Sequence, residues 1–160
     1  GISHKDSNKT IENTKNTSTA TAESVDKDKG EATISNNRGS GIKIRTPIEG
    51  NVSADALFVK PVEHTESGSL WEPCLTSQTD SNYSTGVHIN KYHDFYTKVY
   101  SQLKTGIQVE AMDLLLWALA AAEHKNTNEE LSYMWEDIRE EVSSNLRKLL
   151  RTTELPTSDE

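Results

Sequence analysis

Five histidines, one cysteine and several paired carboxylates are the residues of this 160-residue chain that could do chemistry. The histidines are His4, His64, His88, His93 and His124. His88 and His93 stand five apart, which does not stack them on one helical face, and no His-Glu-x-x-His or Glu-x-x-His pair occurs. No metal ligand is assigned on these spacings. Cys74 follows Pro73 in an expected loop, and its sequence neighbours hold nothing to lower a thiol pKa. His93 and Asp94 are consecutive, so on a helix they point apart. There is no Gly-x-Ser-x-Gly and no glycine loop to cradle phosphate. Glu129/Glu130, Glu136/Asp137 and Glu140/Glu141 look like general-acid material, but adjacent acids on a long helix form a solvated face. The expectation is a protein that is not an enzyme, with no catalytic residue and no cofactor.

Binding is the chemistry that remains. Two apolar islands stand out in the first half: Ala54–Val62, holding Leu57, Phe58 and Val59, and Leu70-Trp71, closed by Pro73. Islands of this kind dock into grooves on partners or pack back on their own domain. In the last third Leu131, Trp135, Ile138 and Val142 recur at intervals of four, three and four, continued by Asn145 and Leu149. That spacing could seat a second copy, with Asn145 at the seam fixing register. The assigned partner-binding residues are thus Leu57, Phe58, Val59, Trp71, Trp135, Ile138, Val142, Asn145 and Leu149. A protein partner or a small homo-oligomer is expected.

Nucleic acid is an unlikely partner. Net charge is −8, and the acid excess falls in both halves: nine Lys/Arg against twelve Asp/Glu in residues 1–85, eight against thirteen in 86–160. Neither half has the basic footprint of a phosphate binder. An aromatic stripe, Tyr92, Phe95, Tyr96, Val99, Tyr100 and Leu103, could stack single-stranded bases, but only Lys91, Lys98 and Lys104 accompany it. A core-facing stripe is the better reading.

The elements that must position these residues are expected to be helices. The stripe from Tyr92 predicts a helix at about 90–104, with Asn90 as N-cap and Gly106 as the left-handed C-terminal cap. A second helix is predicted at about 108–124, apolar on most sides. A third, at about 128–151, would open with a Thr127/Glu130 capping box and run roughly 35 Å. Before them the chain is polar. Apolar residues make up only 33 %, and Ile2, Ile11, Val25 and Ile34 are isolated, too few to offset the ordering entropy of about 1–2 kcal/mol per residue. Asn36–Gly41 reads as a linker.

The predicted fold class is therefore mainly α. A disordered or extended N-terminal half precedes a small C-terminal three-helix bundle with a long last helix. The expected domains are a disordered acidic arm at 1–53, an extended docking segment at 54–84, the helical domain at 85–153 and a disordered tail at 154–160. The plan is similar in outline to viral phosphoproteins and adaptor-like replication cofactors, with no shared motif. An adaptor or oligomerisation module is the expected function; a capsid, nucleocapsid or scaffold component and a weak single-strand binder are the alternatives. The chain opens without Met and reads as a piece of something longer. One cysteine, no signal-peptide core and no run of about 18–20 apolar residues point to an intracellular protein without a membrane span.

Overall fold

A computed structural model describes residues 2–14, 21–36 and 39–154. It overturns the mainly α reading. The described residues form a mixed α/β fold with seven strands in two sheets, and the half expected to be disordered or extended carries a helix and six of those strands.

Helix α1 (Lys5–Asn13) opens the chain. His4, Ser7, Asn8 and Ile11 are its buried stripe, at the helical spacing of three, four and seven. Only Ile11 is apolar, so a search for hydrophobic periodicity passes over this helix. Three antiparallel strands follow: β1 (Thr21–Asp26), β2 (Glu31–Asn36) and β3 (Gly39–Arg45), in the order β1-β2-β3. Each strand has just two apolar residues on its inner side. Register brings them together: Ala22 lies opposite Ile34, Val25 opposite Ala32, Ile34 opposite Ile42 and Ala32 opposite Ile44. The resulting patch packs around Leu75 with Ile48 and Tyr83. The expected linker is therefore the β2–β3 connection, with Gly39–Gly41 already inside β3; positions 37 and 38 lie outside the described residues.

The second sheet has the order β4-β6-β7-β5, built from β4 (Ile48–Glu49), β5 (Val59–Val62), β6 (Trp71–Thr76) and β7 (Ser84–Asn90). Pro73 sits in the interior strand β6 without breaking it. It pairs with Val87, whose N–H donates to Phe58 on the opposite side, so this β6–β7 pair exchanges no ladder bond and needs no N–H from Pro73. The start of the edge strand β5 is closed by one side chain. Asn8 Oδ1 accepts from the N–H groups of Phe58 and Val59 at 2.6 and 3.0 Å, and its Nδ2 donates to the carbonyls of Val59, Asp55 and His4. Capping an edge in this way removes a template for stray pairing.

The helix predicted at 90–104 does not form as drawn. Strand β7 runs through Asn90, and the aromatics occupy a short π-helical turn (Phe95–Val99) and a 3-10 turn (Tyr100–Gln102). Gly106 opens α2 (Gly106–His124) instead of ending a helix. The capping box belongs there, with the Thr105 hydroxyl accepting from the Gln108 N–H and the Gln108 side chain reaching back to the Thr105 N–H. α3 (Glu129–Arg151) starts from Asn128, whose side chain accepts from the Glu130 N–H. The Thr127/Glu130 box is not the start signal used. α2 lies on β6 and β7 and against α1. The main core gathers Ile11, Phe58, Val59, Trp71, Val87 and Leu116 among others, so it draws on both halves of the chain. No helix among the described residues is long and apolar enough to cross a membrane.

Candidate functional site

Three polar constellations and one apolar face remain after the core is accounted for. The first constellation is structural. Asp113, fully buried on α2, accepts at Oδ2 from Ser7 Oγ (2.7 Å) and at Oδ1 from the Tyr100 hydroxyl (2.9 Å), and its Oδ2 lies 2.7 Å from His4 Nδ1. His4 Nε2 meets the Tyr96 hydroxyl at 2.9 Å. Burial and then the Asp113 carboxylate push the Tyr96 hydroxyl up to about 12. These contacts tie α1 to α2 and to the aromatic turn.

The second constellation was not legible from spacing. β6–β7 register sets Cys74 opposite Gly86 and Glu72 opposite His88, so Cys74 and His88 share one face of the sheet. β5 brings Lys60 beside His88, and Glu49 on β4 comes within 3.6 Å of His88 Nε2 and 3.0 Å of Lys60 Nζ. Cys74 thus lies inside a strand, not in the expected loop. The hydrogen bond from His88, helped by Lys60, pulls Glu49 down to about 2. Burial works against a charged His88, but its contacts with Cys74 and Glu49 hold it up at about 10. Carboxylate, imidazole and thiol in this order make a nucleophilic set elsewhere. Here Cys74 is 2 % exposed and offers a substrate no surface. Room above it is tight: a Cβ on Gly86 would stand 3.0 Å from Cys74 Sγ and 2.9 Å from Thr76 Cγ2. Gly86→Ala is expected to lower stability by about 1–3 kcal/mol through overpacking, read from urea denaturation midpoints.

The third is a cleft of about 400 Å³ where β3 faces the start of α3. Arg139 forms its floor. Arg139 is 5 % exposed and grips Glu123 with Nε and Nη2 at 3.1 and 3.0 Å. Its Nη1 is buried with no hydrogen-bond partner among the described residues. Glu66, Glu72, Glu129 and Glu136 line the walls. Burial pushes Glu72 and Glu136 above the usual carboxylate range. His124, also in the wall, gives Nδ1 to a contact with Thr85 Oγ1 at 2.9 Å; burial, then the Arg139 charge, pull it down to about 4. Among the described residues no group of three His, Cys, Asp or Glu side chains could hold a metal ion.

The apolar face belongs to α3, which is packed inside out. Its buried residues are Arg139 and Ser143. Polar clamps hold that side down: Ser143 Oγ accepts from Leu70 N–H at 2.8 Å, Ser143 O accepts from His93 Nε2 at 2.8 Å, Arg147 donates to Gly68 O at 2.7 Å and Lys98 to Leu150 O at 2.6 Å. Phe95 N–H donates to His93 Nδ1, which places the ring proton on Nε2, and burial keeps that ring neutral by lowering its pKa. The outward side holds Leu131, Met134, Ile138, Val142 and Leu149, with Ile138 47 %, Val142 39 % and Leu149 65 % exposed. Asn145 is exposed on the same side and Trp135 is half-buried. Sequence spacing found this stripe. It did not separate the stripe from the islands: Phe58, Val59 and Trp71 lie in the protein's own core and Leu57 packs partly buried against it, so no partner reaches the first three.

Comparison with family models, with curated proteins and with solved structures found no match.

Proposed function

We propose that the protein is a non-enzymatic interaction module that pairs with a second copy of itself along α3. The observation that carries this reading is the orientation of α3: its fully buried residues, Arg139 and Ser143, are polar, Leu146 packs partly buried on the core, and Leu131, Met134, Ile138, Val142 and Leu149 face out. A row of this kind has no role in the monomer and costs solubility, so it needs a cover. Charge selects the cover. Exposed acids Glu130, Asp137 and Glu141 occupy the first part of α3, and exposed bases Lys148 and Arg151 the last part. Two α3 helices in antiparallel contact bring acid to base. Centred between Val142 and Asn145, the pairing sets Ile138 against Leu149 of the second copy and Glu141 near its Lys148. Parallel contact would set like charges side by side.

Light scattering behind size exclusion tests the proposal on the full chain. A dimer is expected, and Ile138→Glu with Val142→Glu is expected to weaken it at least a hundredfold. Both positions are exposed in the monomer, so its thermal unfolding should shift little. A full chain that stays monomeric at about 100 μM, far above the micromolar range of specific pairs, sinks the proposal. Species much larger than a dimer would favour an assembly role instead.

A further inference from the structure

We infer that the cleft between β3 and α3 binds an extended segment of another protein that carries lysine or arginine on alternate residues. This site is separate from the outward face of α3 and does not depend on it. Three observations converge on one ligand chemistry. The first is a free edge. β3 pairs with β2 alone among the described residues, and its consecutive residues Ile42, Lys43, Ile44 and Arg45 all line the cleft. A strand that lines a cavity with residues of both faces presents its edge. Thr46 N–H donates inward to Gly30 O, so strand alternation turns the Lys43 and Arg45 amides outward, toward the cleft. An added strand would take up those donors.

The second observation is Arg139, which lines the cleft and whose buried Nη1 has no acceptor among the described residues. A buried unpaired guanidinium N–H costs free energy, and a carbonyl oxygen of a bound chain would relieve it. The third is charge. Four wall glutamates remain once Glu123 is matched with Arg139; Lys43 is occupied by Glu31 at 3.1 Å, and among the described residues Arg45 is the one other base in the lining, so acids stay in excess. Tyr133 stands 73 % exposed at the rim, where its ring can cover an alkyl-ammonium stem. An acceptor for the floor, cations for the walls and a backbone for the edge are together a description of a basic peptide. A free polyamine supplies only the cations.

The probe is a fluorescein-labelled nonapeptide of alternating threonine and lysine, titrated into the full chain at low salt and followed by polarisation. Binding at or below about 100 μM is expected. Glu129→Gln with Glu136→Gln, which leaves the Arg139–Glu123 pair in place, should weaken it at least fivefold. A peptide of the same charge with proline at every threonine and N-methyl groups on the lysine amides should bind at least tenfold more weakly, because it offers β3 no backbone N–H. Hydrogen exchange at the Lys43 and Arg45 amides should slow in the complex. The inference is overturned if the lysine peptide does not bind or if the glutamine variants leave binding unchanged. It is also overturned if the proline peptide or spermidine binds equally well, which would make the cleft a site for cations alone.

Discussion

Asp113→Ala is expected to lose about 3–5 kcal/mol of folding stability, the range for breaking a buried charged or polar network from one side. The carboxylate is fully buried and serves His4, Ser7 and Tyr100 at 2.7–2.9 Å. Alanine would leave a ring N–H or lone pair and two hydroxyls without partners in a place water does not reach, at about 1–3 kcal/mol for each group stranded. The loss should be localised. Ile11 is the only apolar residue in the buried stripe of α1, so without Asp113 the helix is held by Ile11, by Asn8, by the hydrogen bond from Thr10 to Glu110 and by the His4–Tyr96 contact. Urea denaturation measures the total, and hydrogen exchange at Ser7–Ile11 measures the local part. Tyr100→Phe, which removes a single donor, should cost about 1 kcal/mol. A loss under 1 kcal/mol in Asp113→Ala would show that α1 is held by something other than this hub. The same hub implies that a fragment beginning at Ser84 should not fold, since it lacks α1, β5 and β6.

What could be read from the sequence follows the chemistry of each face. α2 and α3 were placed within two residues of their bounds, because both carry long apolar rows at helical spacing. α1 was invisible for the opposite reason: three of its four inward residues are His4, Ser7 and Asn8, which hold it through hydrogen bonds. In the first sheet no single strand has enough apolar area to stand out. The patch exists only after Ala32 and Ile34 are set between their neighbours on β1 and β3. One local signal was present and misassigned. Thr105-Gly-Ile-Gln108 is a capping box that fixes the start of α2, and reading Gly106 as a terminator hid it.

The candidate site divides along the same line. The α3 stripe was legible as spacing, but its direction was not. Spacing alone places Ile138 and Val142 on one face; only the burial of Arg139 and Ser143 says that the face looks outward. The cleft could not be anticipated at all. Glu72, Glu123, Glu136 and Arg139 come from β6, α2 and α3, and β3 closes the other side. The Glu49–His88–Cys74 set likewise needs three strands in register before its members meet.

The second large effect is a loss of stability in mild acid, carried by His124. Its pKa in the folded protein is about 4, against 6.5 for an exposed imidazole, because burial and then the Arg139 charge oppose protonation. Above pH 6.5 the ring is neutral in folded and unfolded chains alike. Between 6.5 and 4 the unfolded chain gains a proton that the folded chain refuses, so stability falls as the pH falls. The full window corresponds to about 3 kcal/mol. His93, lowered by burial, acts in the same direction below 6.5, and Glu49 does so lower down. Its folded value of about 2 lies below the ordinary 4.5, so the stability it lends is present above 4.5 and is lost as the pH falls toward 2. Glu72 and Glu136, raised by burial, oppose all three and blunt the loss near and above 4.5. On the alkaline side His88, raised to about 10, lends stability that is complete below 6.5 and is lost as the pH climbs to 10. Stability should therefore peak close to pH 6.5. Urea midpoints at pH 7, 5.5 and 4.5 measure the acid limb. His124→Gln separates the contributions, because its amide can still meet Thr85 Oγ1 but takes up no proton. If that variant keeps the whole loss between pH 6.5 and 4.5, the imidazole of His124 is not its source. If the loss largely disappears, the ring of His124 facing Arg139, and not that of His93, sets the acid tolerance of the fold.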